Sequence, residues 1–246
     1  MLGLIQKVGI ITLTVSSLGI ASNIINPLPS LGQVVTFADG TYCQGSFQPG
    51  SLTLNGRGVC VYGGSGSENE RVTYRGDFRN GVPNGTGVFV FGNRDRYQGQ
   101  FLNGKPNGRG EFIYVNDGRY QGQFRNGMPN GTGTFIFADG TRYQGQFRDG
   151  QFHARGVLTY TNGDRFQGQF ILGQPNGLGV YTAKDGTRCQ GEYFNGAFDA
   201  RGSCTDAKGN RYQGEIRAAK PHGRGSIVYA NGERFSGQFS QGEPLR

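Results

Sequence analysis

The 246-residue chain has no Trp, two His, two Met and nine Pro, and only 17% of its residues are charged. These shortages remove several classes of protein. Nine Pro are too few for a collagen-like helix, which also needs Gly at every third residue. The two histidines, His153 and His222, lie beside no nucleophile motif and supply no general base. Against these shortages stand 46 Gly, 18 Phe and 12 Tyr. So much Gly argues against a helical protein, because each helix-interior Gly costs about 1 kcal/mol relative to Ala. The aromatics argue against disorder, since disordered chains are poor in them. A Gly- and aromatic-rich β protein remains, and at this length internal repeats are the first thing to seek.

The repeat is strict. Segments of the form aromatic-x-Gly-x-aromatic begin at Tyr74, Tyr97, Tyr120, Tyr143, Phe166, Cys189 (Cys in place of the first ring), Tyr212 and Phe235, each 23 residues after the last. A ninth copy begins at Cys43, 31 residues before Tyr74. Counting from these starts, position 3 is Gly in all nine copies and position 5 is Phe in seven, with Tyr193 and Ile216 the exceptions. Positions 12 and 14 form Gly-x-Gly, as in Gly108 and Gly110, softened to Ala at Ala154 and Ala200.

Each copy reads as a β-hairpin, because positions 1–5 and 12–18 alternate in character as half-buried strands do. One loop has the form Asn80-Gly81-Val82-Pro83-Asn84, and the other carries Asp-Gly or Asn-Gly, as in Ala138-Asp139-Gly140. A three-residue second loop with Gly as its left-handed residue keeps every aromatic on one face. In that register position 1 faces 16, position 3 faces 14 and position 5 faces 12, so each position-5 Phe lies opposite a Gly.

These residues resemble the MORN (membrane occupation and recognition nexus) repeat, whose pattern is Tyr-x-Gly-x-Phe followed by Gly-x-x-x-Gly-x-Gly at a 23-residue period. Tyr97-Gln98-Gly99-Gln100-Phe101 with Gly104, Gly108 and Gly110 matches it, and Tyr120 to Gly133 repeats the match. The resemblance implies an all-β fold, an elongated, twisted, single-layer antiparallel sheet of tandem hairpins with about eighteen strands. It also implies an interaction scaffold, often near membranes. The expected organisation is a signal peptide at 1–21, a linker at 22–33, and a nine-copy array at 34–242. The first copy has an insertion at 62–73, and residues 243–246 form a tail.

The N-terminus supports export. Lys7 precedes a 13-residue apolar run from Val8 to Ile20, and Gly19-Ile20-Ala21 offers the small residues that a signal peptidase reads. The run is short of the roughly 20 apolar residues of a membrane-spanning helix, though an uncleaved N-terminal membrane anchor is the alternative. The expected location is periplasmic, cell-surface or secreted. The cysteines agree. Cys43 and Cys189 stand at position 1, and Cys204 and, in a first copy whose loop is two residues longer, Cys60 stand at the position-16 site facing them, so disulfides Cys43–Cys60 and Cys189–Cys204 are predicted. A shared zinc site is excluded by distance, since Cys43 and Cys189 lie about twelve strands, or roughly 58 Å, apart in a straight sheet. No metal, cofactor or enzymatic activity is expected.

Two faces are candidates for binding. The residue before each start is Arg in seven copies: Arg96, Arg119, Arg142, Arg165, Arg188, Arg211 and Arg234. This ladder points away from the rings and shares its face with Arg57, Arg109, Arg155, Arg201 and Arg224 at position 13. With a net charge of +8, it suits anionic lipid headgroups or a cell-envelope polymer. The opposite face carries Phe78, Tyr97, Phe101, Tyr120, Phe124, Tyr143, Phe147 and Phe170. A single layer has nothing of its own to cover them, so this groove is expected to bind a protein partner or a second copy. Nucleic acid is not expected, because the rings and the cations lie on opposite faces.

Overall fold

The structure is a computed structural model that describes residues 21–25, 32–63, 71–198, 200–217 and 219–245. The first twenty residues, which hold the expected signal peptide, lie outside the described residues, as do 26–31 of the linker and 64–70 of the insertion.

The chain divides into two compact units, residues 1–133 and 134–246. In the first unit the strands are β1 (Ala21–Ile25), β2 (Gln33–Phe37), β3 (Tyr42–Phe47), β4 (Leu54–Tyr62), β5 (Val72–Arg79), β6 (Val82–Val90), β7 (Arg96–Leu102), β8 (Lys105–Tyr114) and β9 (Gly118–Arg125). The boundary falls inside β10 (Met128–Phe137). The second unit continues with β11 (Arg142–Arg148), β12 (Gln151–Thr159), β13 (Arg165–Ile171), β14 (Gln174–Thr182), β15 (Arg188–Tyr193), β16 (Arg201–Thr205), β17 (Arg211–Arg217), β18 (Lys220–Val228), β19 (Arg234–Ser240) and β20 (Glu243–Leu245). The described residues contain no helix. The fold is all-β, and the nine copies occupy β3 to β20 as antiparallel hairpins. Two segments placed outside the array by sequence are also strands. Ala21–Ile25 pairs with β2, and Glu243–Leu245 pairs with β19.

The copy that starts at Tyr97 shows how sequence dictates each hairpin. Its tip is a two-residue turn, Asn103-Gly104, with φ of 49° and 76°. That is the primed turn whose twist matches the flanking strands, and Asn and Gly tolerate it best. Val82-Pro83-Asn84, expected as part of such a loop, belong instead to β6. The connection between copies is the three-residue loop: Phe137 donates to the Thr141 carbonyl, Gly140 donates to the Phe137 carbonyl, and Asp139 Oδ1 accepts from the Thr141 N–H at 2.8 Å.

The register holds from the open end of each hairpin only as far as the glycine pair. Tyr97 faces Phe112 and Gly99 faces Gly110; the ladder then slips, and Phe101 faces Pro106. Within a hairpin, position 5 therefore faces position 10 rather than 12. Gly108 at position 12 instead faces Phe124 of the next copy. The cause is a bulge that sets three residues, Asn107 to Arg109, opposite Gln100 at position 4, with Gly108 at φ 91°, and its loosened backbone groups are recovered locally. The Gln100 carbonyl accepts the Tyr97 hydroxyl at 2.9 Å, while Gln100 Oε1 accepts the Arg109 N–H at 2.8 Å. Asp77 and Gln123 fill the same role toward Thr86 and Thr132.

The tyrosine ring builds the core. In a straight strand, residues 97 and 101 would be four rises, about 13 Å, apart. Their ring centroids are 5.0 Å apart and edge-on, because the Tyr97 ring leans along its own strand toward Phe101. Tyr97 lies flat over Gly99 and Gly110, where an added Cβ would come within 2.4–2.5 Å of its hydroxyl oxygen. Its ring is then enclosed between Phe101 and Phe124 of the following copy, 4.9 Å away. Pro106 is also fully buried. The same arrangement recurs at Tyr74 with Phe78 and Phe101, and at Tyr143 with Phe147 and Phe170. Each edge-on pair adds about 0.5–1.5 kcal/mol beyond its buried area.

This corrects the expectation of an open aromatic groove. Phe78, Tyr97, Phe101, Tyr120, Phe124, Tyr143, Phe147 and Phe170 are all 0–4% exposed. They are the core, because each tyrosine ring lies over a glycine pair and is closed between the Phe of its own copy and that of the next.

Candidate functional site

With the rings buried, the other face of each unit is what solvent meets. It is lined by the side chains just before position 1 and at positions 2, 4, 13 and 15. Strand alternation puts them there, and the bulge's own hydrogen bonds hold the position-4 acceptors close to the backbone.

In the second unit these residues line a groove of about 1690 Å³. Five arginines border it: Arg155, Arg165, Arg188, Arg201 and Arg224. Gln144, Gln167, Gln169, Gln190 and Gln213 alternate with them, and the floor is glycine backbone with Val157 and Val180. No Asp or Glu lines the groove. Glu215 holds Arg201 at 3.6 Å, with both side chains substantially exposed at 43% and 81%. Such a pair is worth little in water and leaves the guanidinium available.

The first unit offers a contrast. Its groove of about 830 Å³ includes Arg57, Arg75 and Arg109, but Asp77 stands among them and pairs with Arg57 at 3.5 Å. The Asp77 carboxyl is held below its ordinary pKa, chiefly because it accepts the Thr86 backbone N–H and also because Arg57 lies beside it. Its charge is committed to the fold and offsets part of the local positive field.

The ladder read from sequence is only partly gathered. Arg165 and Arg188 line the second unit's groove, whereas Arg142, Arg211 and Arg234 do not. In the first unit Arg96 is turned to Gln98, donating to its Oε1 at 2.6 Å, and neither Arg96 nor Arg119 lines the groove there. The position-13 arginines stand closer to the groove than most of the ladder does. Their signal in the sequence was the same strand parity, without the regular recurrence that made the ladder conspicuous.

Both disulfides are formed as predicted. Cys43 faces Cys60 and Cys189 faces Cys204, with Cα separations of 4.1 Å in each pair. Their sulfurs are 2.00 and 2.08 Å apart. Disulfides of this structural kind persist in oxidising compartments. Among the described residues, no three His, Cys, Asp or Glu side chains are grouped as a metal would require.

The repeat period, the glycine pair and the stacked hairpins are those of a family whose profile, the MORN repeat, matches residues 74–96, 97–119, 120–142, 143–165, 166–188, 189–211 and 212–234. The chain belongs to the MORN-repeat family. The Cys43 copy and the Phe235 copy extend the MORN array beyond the matched residues. No curated protein matches the chain. Two solved structures resemble it weakly. The TCP10c domain of Drosophila melanogaster Sas-4 is 11% identical, with 65% of this chain and 97% of that one covered at a TM-score of 0.38. The Drosophila SAS-4 TCP domain in complex with a proline-rich motif of Ana2 is 11% identical, with 89% and 97% covered at a TM-score of 0.34. Scores this low carry no argument about the site of this MORN protein.

Proposed function

We propose that the chain is an exported, non-enzymatic scaffold that captures an acidic partner in the arginine-lined groove of its second unit. The observation that carries this reading is the groove's composition: five arginines border one surface that no carboxylate lines. Arginine suits the role, because its planar fork meets carboxylate or phosphate with two parallel hydrogen bonds. The intervening glutamines offer neutral donors and acceptors between the charges. A groove favours a linear ligand over a flat membrane surface, so an acidic chain fits it better than lipid headgroups do. The apolar apparatus offers no competing site, since its rings are consumed by the fold. Export is supported by the signal-like N-terminal sequence and by the two disulfides, which belong to an oxidising compartment.

The test is binding of fluorescent poly-glutamate to the full chain at low and high salt. Salt-sensitive binding is expected, falling at least tenfold in an Arg155→Gln/Arg201→Gln/Arg224→Gln variant and persisting in Arg142→Gln/Arg234→Gln. Equal loss in both variants would show a diffuse charge effect and overturn the groove reading. Binding to anionic vesicles with none to poly-glutamate would overturn it in favour of the membrane.

A further inference from the structure

The polar face varies from copy to copy, and in the second unit one variation falls inside the groove. Position 13 is Arg at Arg57, Arg109, Arg155, Arg201 and Arg224 and Thr at Thr86 and Thr132, but Leu at Leu178. Position 6 is Arg at Arg79, Arg125, Arg148 and Arg217, Gln at Gln48 and Ser at Ser240, and it is apolar at Leu102, Ile171 and Phe194. These apolar side chains are 49–66% exposed. Of these, only Leu178 lines the groove. Leu178 faces Glu192 and Gly177 faces Tyr193, so Phe194 follows on the same face two residues beyond Glu192. Ile171 faces Gln174 on the other side of β14.

Leu178 lines the groove between Arg155 and Arg201, which hold the same repeat position one copy to either side. We propose that this groove docks an extended acidic segment of a partner protein. One apolar side chain would sit on Leu178, and one carboxylate would sit on each of Arg155 and Arg201. The spacing dictates the pattern. One copy is two strands wide, about 9.6 Å, and three residues of polyproline II chain rise about 9.3 Å and return to the same face. The matching segment is therefore acid-x-x-apolar-x-x-acid, laid across the strands. Glu192 faces Leu178 in the ladder but does not line the groove, so the central preference rests on the Leu178 side chain itself. Glu215 yields Arg201 to the ligand because their exposed pair is weak. This inference rests on the groove being a polyanion site and adds what distinguishes one acidic chain from another.

The test is fluorescence anisotropy of a labelled seven-residue peptide, with glutamate at each end and leucine at the centre, against the full chain. Binding is expected to weaken at least fivefold when the peptide's leucine becomes serine, and by a similar factor in Leu178→Arg or Leu178→Ser. The two changes should not multiply, since they remove one contact. Leu178 is exposed and arginine is the usual residue at this position, so these variants keep the fold. If poly-glutamate binds but the peptide shows no leucine preference, or if Leu178→Arg binds the peptide more tightly, this inference falls while the proposed function stands. If neither peptide nor poly-glutamate binds, both fall. Preference for anionic vesicles, an acidic polysaccharide or a second copy of the chain would also overturn it.

Discussion

In the copy that starts at Tyr97, the space above the glycine pair is filled by the tyrosine of the same strand. In the copy that starts at Cys189, the first position carries sulfur instead, and the space above Gly191 and Gly202 is filled by Phe198 from position 10. The Cys43 copy does the same with Leu54, whose Cδ2 stands 3.0 Å from a Cβ built on either Gly45 or Gly58. Position 10 is Pro in the Tyr97 copy, so the Cys copies have changed two positions together. The Tyr143 copy isolates the effect. It carries Phe152 at position 10, yet because Tyr143 is present the two rings simply stack, with centroids 3.7 Å apart. The repeat therefore requires a filled space above paired glycines more than it requires a tyrosine. A disulfide can take the tyrosine's place only where the opposite strand supplies the bulk.

Alkali should act on both kinds of copy, since burial also pushes Tyr62 and Tyr193 of the cysteine copies up to about 12, but it should act most on the tyrosine copies. Tyr74, Tyr97, Tyr120 and Tyr143 all have hydroxyls raised well above the ordinary value of 10.0, chiefly because burial disfavours the anion. Above pH 10 the unfolded chain loses these protons while the folded chain keeps them. Stability is thus fully present below pH 10 and falls above it by about 1.4 kcal/mol per pH unit for each tyrosine. Four such groups are expected to drive cooperative unfolding between about pH 10 and 12, visible as coincident tyrosinate absorbance and loss of circular dichroism. Tyr97→Phe/Tyr120→Phe should make the fall shallower, although each change also loses about 1 kcal/mol at neutral pH with the hydroxyl's bond to the position-4 carbonyl. An unchanged alkaline slope would break the comparison.

Truncating the substitute ring comes next. Phe198→Ala removes the group above Gly191 and Gly202 and its stack on Tyr193, 4.7 Å away. A loss of about 3–5 kcal/mol is expected, read as lost amide protection in β15 and β16. Phe152→Ala should cost less, since Tyr143 still covers its glycines. Equal losses would mean that Phe198 does no more than an ordinary core ring. The disulfide beside it is the third term. Cys189→Ser/Cys204→Ser opens a loop of sequence separation 15, at an expected cost of about 3 kcal/mol. Reduction of the parent chain should reproduce that loss in β15 and β16.

Much of this architecture was legible in the sequence, because a strict period turns one register into nine. The cysteine pairs followed from positions 1 and 16 facing each other, and the three-residue loop followed from keeping all rings on one face. The bulge was not legible. Gln100 reads as an ordinary outward residue, and only the Tyr97 hydroxyl and the Arg109 N–H meeting it reveal its work. Nor does the sequence show that each tyrosine ring leans along its strand over the glycine pair, so the rings looked uncovered and the wrong face looked sticky. The groove was half-legible for a related reason. Strand parity put the arginines on one face, but which of them border a groove depends on how the sheet coils.

The smallest effect tests whether that coiling leaves any strain in the hairpin tips. Leu172 opens the turn that Asn80, Asn103, Asn126 and Asn195 open elsewhere, at φ 49° and 74% exposed. Left-handed backbone costs a branched side chain roughly 1–2 kcal/mol, and asparagine is among the residues that bear it best. Leu172→Asn is therefore expected to stabilise the β13–β14 hairpin by about 0.5–1 kcal/mol, measured as a shift in denaturant midpoint at constant slope. The same change at an existing Asn site, Asn103→Leu, should destabilise by a similar amount. If both shifts appear, Leu172 is held against the turn's own preference, as expected where an exposed apolar side chain beside Ile171 serves the neighbouring groove. If Leu172→Asn gains nothing while Asn103→Leu loses, the leucine must regain through contact with its neighbours what its backbone gives up.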